Sequence, residues 1–492
     1  MRIEGINISR RRWSSGRWSS MILYLLFSTP IMLLCFPFSL DTIHQFNYIL
    51  DFTCLTIGLM ILIHMLDEYE KRFSTLTMEP IVVFSAIYFS LYFAAPMVDI
   101  ATGNLLWFGV DLFSTGIQST LVAMSGYVAF VVGYATSRKT TVNSNSRVQF
   151  RKIVSNRNLD MIIMIVWLVS TAGFALYLSM YYGFSIRYIL SIGMSGIDST
   201  GNIISRSYGF LMMFAYSMVT ATLLYFEYGR SRIVKFSMIT VLLLMQTTWG
   251  FRFILLQTVI SFVVYFSLRS GRKMRPRDMI LGVLGALILI LLMTMFRDSI
   301  RLGKGADFSS ISFDGIFVAL REAVWDNLRI YNNFYAVVKS IPSSYPFVYF
   351  KEVVVGTLTM LIPRSIWPLK PDPRAGISLY ILASSASMQN SGQAYPNLGE
   401  YYYAFGVFGV LVFMFIYGRW MRALRLRFLS LSDRSGFDRV AYASLISMNV
   451  QCIIRGYIPS NFYMVLFAGL PLLIVLLLAS REPAASADRD IK

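Results

Sequence analysis

The sequence predicts an all-α polytopic integral membrane protein, and three observations support this fold class. Hydrophobic residues make up 56% of the 492 residues and charged residues only 14%, whereas soluble domains carry about 25% charged residues. Apolar runs of about 18–20 residues, the length of a membrane-spanning helix, recur along the chain. Short basic segments separate many of these runs, so the net charge of +18 does not indicate a nucleic-acid partner.

About twelve apolar segments are predicted to cross the membrane. The arginine-rich start, 1–20, precedes an apolar run without a small-residue cleavage site, so we interpret that run as an uncleaved first span. The predicted spans are 21–40, 46–66, 79–98, 117–137, 160–181, 210–227, 236–250, 254–268, 279–296, 404–420, 440–456 and 462–480.

Basic residues predict how these spans are oriented. Of the 44 lysines and arginines, 30 lie in the short connections and tails at one end of the spans. The positive-inside rule makes this face cytoplasmic and places both termini there. The chain then divides into nine spans at 1–296, a large outer connection at 297–403, and three further spans with a short cytoplasmic tail at 404–492.

The outer connection, 297–403, is where we expect function to lie, because connections this long are usually functional. Its segment 316–338 has apolar residues at helical spacing with charged residues between them. This pattern predicts an amphipathic helix at the membrane interface. Segment 353–362 is apolar but too short to span, so we predict a re-entrant or interfacial helix there.

A proline-rich run follows within 361–399. Proline has no backbone N–H and breaks a helix interior, so this run must form a shaped loop rather than a transmembrane helix. We expect this loop to cap a site for a pyrophosphate-linked lipid, with Trp367, Lys370 and Arg374 contacting the substrate. The prolines are Pro363, Pro368, Pro371 and Pro373.

Three arginines from distant parts of the chain map to the outer membrane boundary, namely Arg252, Arg364 and Arg455. A guanidinium is always charged and offers a rigid fork of donors to phosphate oxygens, so converging arginines suit a poly-anionic head group. We predict that these three side chains are catalytic. The alternative for Arg252 is a side chain that only anchors a helix end at the interface.

Other polar residues on the same face are further candidates. Arg297 and Arg301 follow the ninth span and are predicted to bind substrate; alternatively, Arg297 pairs with Asp298 and Arg301 is solvated. Glu400 is the fourth catalytic candidate, because a carboxylate beside aromatic residues suits sugar hydroxyls. Alternatively, it faces the positive end of a helix dipole. Tyr402 is predicted to contact the same sugar.

The acidic residues of the outer face do not predict a metal site. They form no DxD pair and no cluster with histidine or cysteine at ligand spacing. We therefore predict a metal-independent site without a cofactor, in which arginines neutralise the charge that Mg²⁺ neutralises elsewhere.

The order of these motifs resembles that of the bacterial oligosaccharide repeat-unit polymerases, the O-antigen and enterobacterial common antigen polymerase group. The resemblance covers roughly residues 150–480. It departs at Arg364 and Gly376, which are one residue further apart than in the paired R-x10-G loop motifs of some members. The shared pattern is Gly250-x-Arg252, then Pro363-Arg364-x-x-Trp367-Pro368-x-Lys370-Pro371, then Gly399-Glu400, and finally Arg455-Gly456.

The resemblance implies a GT-C-like glycosyltransferase of the bacterial inner membrane. Such an enzyme moves a growing glycan from undecaprenyl pyrophosphate onto a new lipid-linked repeat unit on the periplasmic face. The implied partners are undecaprenyl-pyrophosphate-linked glycans, the lipid bilayer and a chain-length regulator protein in the same membrane.

Two alternatives remain open at this point. An O-antigen ligase has a similar topology, but ligases are expected to use a histidine in the large loop, and 297–403 contains none. A flippase or other transporter of lipid-linked sugars fits a count of twelve spans. The long outer connection and the absence of an internal repeat argue against a transporter.

The predicted topology can be tested by cysteine labelling. We expect Ser391→Cys to react with a membrane-impermeant maleimide from outside, whereas Ser430→Cys should react only after permeabilisation. The reason is the charge pattern, which places 391 outside and 430 inside. Labelling of position 430 but not 391 in intact cells would show that the orientation is inverted.

Overall fold

Helices make up nearly all of the part of the chain that the structure describes. The computed structural model describes residues 36–69, 79–107, 110–136, 157–182, 209–249, 252–270, 328–349, 351–362, 366–367, 369, 395–430 and 436–479. The strands within these ranges are Leu106–Trp107 and Val110–Asp111, which pair as a small antiparallel hairpin. The chain is an all-α polytopic membrane protein, as its composition predicts.

Seven helices precede the outer connection among the described residues. They are α1 at Thr42–Tyr69, α2 at Pro80–Ala101, α3 at Gly116–Thr136, α4 at Arg157–Tyr182, α5 at Phe214–Tyr228, α6 at Arg232–Trp249 and α7 at Arg252–Ser270.

The described part of the outer connection and the carboxy-terminal region supply six more helices. They are α8 at Tyr331–Ser340, α9 at Lys351–Thr359, α10 at Asn397–Ser430, α11 at Gly436–Ser447, α12 at Asn449–Ile454 and α13 at Ile458–Ala479.

Seven of the twelve predicted spans correspond to helices long and apolar enough to cross a membrane. The predicted spans 236–250 and 254–268 are the shorter or less apolar helices α6 and α7. Span 440–456 is divided between α11 and α12. Span 279–296 and residues 21–35 lie outside the described residues, and 36–40 form a turn.

The helices pack around two hydrophobic cores that do not follow chain order. One core is formed by α1, α2, α3, α8 and α10. The other is formed by α4, α5, α6, α7, α11 and α13. This packing cuts across the linear division at 296 and 403, because α10 joins the amino-terminal spans while α11 and α13 join the middle ones. A seam therefore separates two helical groups.

Small residues let α3 and α10 pack closely and in parallel. A side chain built on Gly133 would overlap the carbonyl oxygen of Phe415, and one built on Gly418 would overlap that of Phe130. Such close approach of backbones replaces the hydrophobic driving force that helices lack inside lipid. The outer part of the same pair meets where Gly126 faces Val410.

A break near its outer end divides α10 into two segments. Gly406 has φ +62°, in the left-handed region that favours glycine, and Phe405 is also non-helical. The carbonyl of Tyr403 accepts the N–H of Val348 at 3.2 Å. The helix begins at Asn397, seven residues before the predicted span at 404, because this short polar segment precedes the break.

Ion pairs join helix ends that the charge pattern assigned to the same face. Arg425 donates two hydrogen bonds to Glu79, at 2.5 and 2.7 Å, and both residues are buried. Arg439 donates to Glu227 at 2.5 Å. Both pairs lie at ends predicted to be cytoplasmic. The structure therefore groups the helix ends as predicted, while the orientation itself stays a prediction.

Helix α8 lies inside the molecule, although its sequence predicted an amphipathic helix at the membrane interface. Its residues Tyr331–Val338 are buried. Tyr331 donates to Asp99 at 2.7 Å, the hydroxyls of Tyr335 and Thr120 share a hydrogen bond of 3.3 Å, and Lys339 donates to the carbonyl of Asp111 at 2.7 Å. These polar side chains lie on one face of the helix and form hydrogen bonds with residues of the amino-terminal half. The helix can therefore be buried in the core. Residues 316–327 lie outside the described residues.

The close contact between α3 and α10 predicts the effect of enlarging Gly133. We expect Gly133→Leu to lower the thermal stability of the purified protein, because overpacking costs about 1–3 kcal/mol. Gly469→Leu is the matched control, since a side chain there meets nothing within 4 Å. Melting curves in detergent provide the comparison; equal midpoints for the two variants would contradict this packing.

Candidate functional site

The seam between the two helical groups holds the residues that the sequence singled out near Arg455. The start of α10 belongs to one core through Leu398, and the start of α13 belongs to the other through Tyr463. The N–H of Gly456 donates to the carbonyl of Tyr395 at 2.8 Å. The seam brings together residues that are far apart in the sequence, so we describe it first.

The turn that carries Arg455 is held on several sides. The N–H of Arg455 donates to the carbonyl of Gln451 at 2.8 Å, and α12 ends at this hydrogen bond. The carbonyl of Arg455 accepts a hydrogen bond from the Asn461 side chain at 2.9 Å. Its guanidinium is half-buried and lies within electrostatic range of the Tyr216 hydroxyl. An arginine at the end of an intramembrane helix is usually functional, because burying its charge is costly.

Gly456 permits the seam to close. A side chain built there would overlap the backbone of Asn397. The two backbones can therefore touch only because this position lacks a side chain. The sequence pattern Arg455-Gly456 combines a charged group with the residue that sets its distance from α10.

Glu400 fixes the other side of the same turn. Its Oε2 accepts the N–H of Ile458, the first residue of α13, at 2.7 Å, and the side chain is buried. A carboxylate satisfies an orphan donor at a helix start and meets the positive end of the dipole. This contact matches the alternative role considered for Glu400, although the helix it caps is α13 rather than its own.

Tyr92 and Asn397 hold the start of α10, and sequence reasoning missed both. The Tyr92 hydroxyl donates to Asn397 Oδ1 at 2.8 Å and accepts the N–H of Leu398 at 3.2 Å. Tyr92 lies in a π-helical turn, Ser90–Ala94, just before Pro96, which has no N–H for the next α-type bond. The proline near Tyr92 was the one sign of irregular structure there. The contact itself joins residues 305 positions apart, and sequence periodicity does not reveal such pairs.

The packing of α7 brings its first residue, Arg252, toward the end of α12, where Arg455 lies. Helix α7 begins at Arg252 and packs antiparallel to α11 and α12. Ser261 donates to Ser447 at 2.6 Å, and Leu256 packs against Val450 and Ile454 one turn from the helix start. The start of α7 therefore adjoins the end of α12, while the convergence of the two arginine side chains stays a prediction.

A second polar cluster lies at the carboxy-terminal end of α2. The buried Asp99 carboxylate accepts from Arg329 at 3.1 Å and from Tyr331 at 2.7 Å. Burial raises the pKa of Tyr331 well above its usual value, and Asp99 raises it further, so the hydroxyl stays protonated and donates. Arg329 also lies 4.9 Å over the Trp107 ring. This cluster anchors α8.

Two other predicted binding residues are described, and neither joins the seam through a described contact. The ring of Tyr402 is buried, and its hydroxyl accepts from Gln118 on α3 at 3.3 Å. Trp367 is 39% exposed beside the exposed Ile366 and Leu369. The other candidates, Arg297, Arg301, Arg364, Lys370 and Arg374, lie outside the described residues, as does the side chain of Arg252.

The short helix α9 lies against the outer part of α13. Tyr463 donates to the carbonyl of Thr357 at 2.8 Å. With nine residues, α9 is about 14 Å long, which is too short to cross a hydrocarbon core of about 30 Å. Its side chains Val354 and Leu358 are exposed, as suits a helix at the membrane boundary.

Comparisons with known proteins point to one family. A family model described as O-antigen polysaccharide polymerase Wzy matches residues 21–481. Proteins named O-antigen polymerase from Salmonella typhimurium strain LT2 and from Salmonella typhi are each 22% identical over 290 residues. The matched region covers 57% of this chain and 62% of each relative, so it spans less than two thirds of their length. No solved structure matches the chain, and the GT-C likeness stays a prediction.

The capping contact of Glu400 predicts how two substitutions differ. We expect Glu400→Ala to lower thermal stability by about 1–2 kcal/mol, because it leaves the Ile458 N–H buried without its acceptor. Glu400→Gln keeps an acceptor oxygen and should lose less. Detergent melting curves measure both, and a wild-type midpoint for Glu400→Ala would argue against the cap.

Proposed function

Because this chain belongs to the O-antigen polysaccharide polymerase Wzy family, we propose that it polymerises lipid-linked oligosaccharide repeat units. In this proposal the growing glycan leaves undecaprenyl pyrophosphate and joins a new lipid-linked repeat unit on the periplasmic face of the inner membrane. The product is an O-antigen, a common antigen, a capsule or an exopolysaccharide. The names of the two relatives support a polymerase over a ligase or a transporter.

The observation that supports the proposal is the antiparallel packing of α7 against α11 and α12. Arg252 is the first residue of α7 and Arg455 follows the last residue of α12. In the proposal, the guanidinium groups of both residues bind one anion, and a site built on packed helices needs little reorganisation when charge develops. A pyrophosphate is the anion in the proposed substrate.

The proposed chemistry is transfer of a glycan to a sugar hydroxyl. The bond between the first sugar and pyrophosphate breaks, and a bond forms between that sugar carbon and an oxygen of the acceptor. The acceptor hydroxyl loses its proton, and negative charge grows on the leaving phosphate. Groups that bind this charge more tightly in the transition state than in the substrate accelerate the step.

The remaining arginines complete the proposed clamp. In the proposal, Arg364 of the proline-rich loop binds the donor head group, and Lys370 and Arg374 contact the same group. Arg297 and Arg301 bind substrate at the outer end of the ninth predicted span. Trp367 contributes an aromatic surface at the membrane boundary.

In place of the catalytic role that its sequence context suggested, we propose a positioning role for Glu400. Its carboxylate binds the N–H of Ile458 at 2.7 Å and so holds the turn that carries Arg455. Through that turn it sets where the guanidinium meets the substrate. Tyr402 lies on the other face of the same helical segment, where its hydroxyl accepts a hydrogen bond from Gln118.

The cellular setting follows from the same proposal. The chain lies in the inner membrane with both termini in the cytoplasm, as the positive-inside rule predicts. Its partners are undecaprenyl-pyrophosphate-linked glycans and a chain-length regulator protein in the same membrane.

Arginine substitutions test the proposed clamp. We expect Arg252→Ala and Arg455→Ala each to slow polymerisation by about 10²–10³, as removal of one donor to a developing anion typically does. Lysine keeps the charge but loses the bidentate fork, so Arg→Lys should restore activity only in part. The measurements are polymer length in cells at equal membrane level and initial rates with purified protein.

Two controls sharpen this assay. Arg272→Ala, on the face predicted to be cytoplasmic, should leave the polymer ladder unchanged. Glu400→Gln should keep most activity if the carboxylate only positions the turn, and lose it if the carboxylate takes part in proton transfer. Wild-type ladders for both Arg252→Ala and Arg455→Ala would disprove the clamp.

Metal independence is the last part of the proposal. Arginines supply the positive charge that Mg²⁺ supplies in other pyrophosphate enzymes. We therefore expect purified enzyme with a lipid-linked repeat unit to keep polymerising in excess chelator. Loss of activity that Mg²⁺ restores would overturn this expectation.

A further inference from the structure

A lipid-facing groove runs between α3 and α10, on the opposite side of α10 from the seam. It consists of two cavities of about 670 Å³ and 470 Å³ that share Leu121 and Ser125, so they are continuous. Leu411 and Phe415 line it from α10. Tyr417, which binds Asn449 across the seam, is two residues from Phe415 and hence lies on another helix face.

The inner part of the groove is apolar. Small side chains, Ser125 and Ala129, form its floor on α3, between larger neighbours such as Val128 and Val132. Leu121 is 53% exposed, so the groove opens toward lipid rather than into the protein. These side chains suit a hydrocarbon chain.

The outer end of the groove is polar and carries a cation. Ser114, Thr115 and Gln118 line it. The exposed Lys339 ammonium donates to Ser114 Oγ at 3.3 Å and to the carbonyl of Asp111 at 2.7 Å. The Asp111 carboxylate is engaged by the N–H of Phe113 at 2.8 Å. The positive end of α3 adds to the Lys339 charge at this end.

The length of the groove favours one kind of lipid. Its lining extends along α3 from Ser114 to Val132, which at helical rise is about 27 Å. The hydrocarbon core is about 30 Å thick, so a phospholipid tail, confined to one leaflet, fills only about half of this length. A long isoprenoid chain fills all of it.

We propose that this groove holds the isoprenoid chain of the acceptor, the lipid-diphosphate-linked repeat unit, with its diphosphate at Lys339. The inference rests on the proposed function, in which two lipid-linked glycans must be bound together. The donor pyrophosphate lies at the seam. The short outer segment of α10 separates the two sites, with Glu400 facing the seam and Tyr402 facing Gln118 at the groove.

Photo-crosslinking of the full chain tests this site. The probe is undecaprenyl diphosphate with a diazirine at the far end of its chain, in vesicles of phosphatidylethanolamine and phosphatidylglycerol. We expect adducts on peptides of α3 and α10 that line the groove, reduced by excess unlabelled undecaprenyl diphosphate but not by equal excess phosphatidylglycerol. Equal competition by phosphatidylglycerol would identify an ordinary phospholipid groove and overturn the proposal.

Variants locate the lipid within the groove. Ala129→Phe fills the floor and should abolish these adducts, whereas Ala172→Phe, at an exposed position of α4, should not change them. Lys339→Gln should weaken probe binding about tenfold, as loss of a charge-assisted contact does, and Lys339→Arg should restore it. Unchanged labelling in both Ala129→Phe and Lys339→Gln would overturn the site even if one variant folds poorly.

The same vesicles separate this inference from the proposed function. A wild-type protein that polymerises a lipid-linked repeat unit but yields no groove adducts contradicts the groove assignment alone. A wild-type protein that yields groove adducts but makes no polymer contradicts the proposed function.

Discussion

The break in α10 at Gly406 is the constraint on which both proposed lipid sites depend. Because this residue adopts φ +62°, the outer segment 397–404 leaves the axis of the spanning helix and lies between the two helical groups. Glu400 then reaches α13 on one side, and Tyr402 reaches α3 on the other. A residue with a side chain would be strained in this conformation.

Burial of polar groups explains how the two helical groups are joined. Within the described residues, the seam is crossed by the contact between Gly456 and Tyr395, the Glu400 cap and the hydrogen bond between Tyr417 and Asn449. Each satisfies a donor that lipid could not satisfy, and an unmet donor costs several kcal/mol in a bilayer. These contacts therefore fix how far the two helical groups can slide past each other. A site built from two helix ends requires such a fixed alignment.

The sequence predicted seven long spans that the structure also shows, because hydropathy and length are the main requirements for a helix that crosses lipid. It also placed Arg455 beside a helix end, since Gly456 and Pro459 break the pattern. The sequence wrongly predicted that α8 lies at the membrane interface. Its tyrosines form hydrogen bonds with Asp99 and Thr120, more than 200 residues away, and hydrophobic periodicity does not reveal such partners. The start of α10 was misplaced for a similar reason, because its polar residues are satisfied by Tyr92 and Ile458 rather than by water.

The buried pair of Glu79 and Arg425 has a consequence for biosynthesis. The two residues are 346 positions apart, so the ribosome delivers Glu79 to the membrane long before its partner exists. A lone buried carboxylate is costly, and the amino-terminal spans must therefore keep this end hydrated until α10 has been inserted. Closure of the pair then marks completion of the helical group formed by α1, α2, α3, α8 and α10, and a chain truncated before Arg425 would present an unfinished surface to membrane proteases.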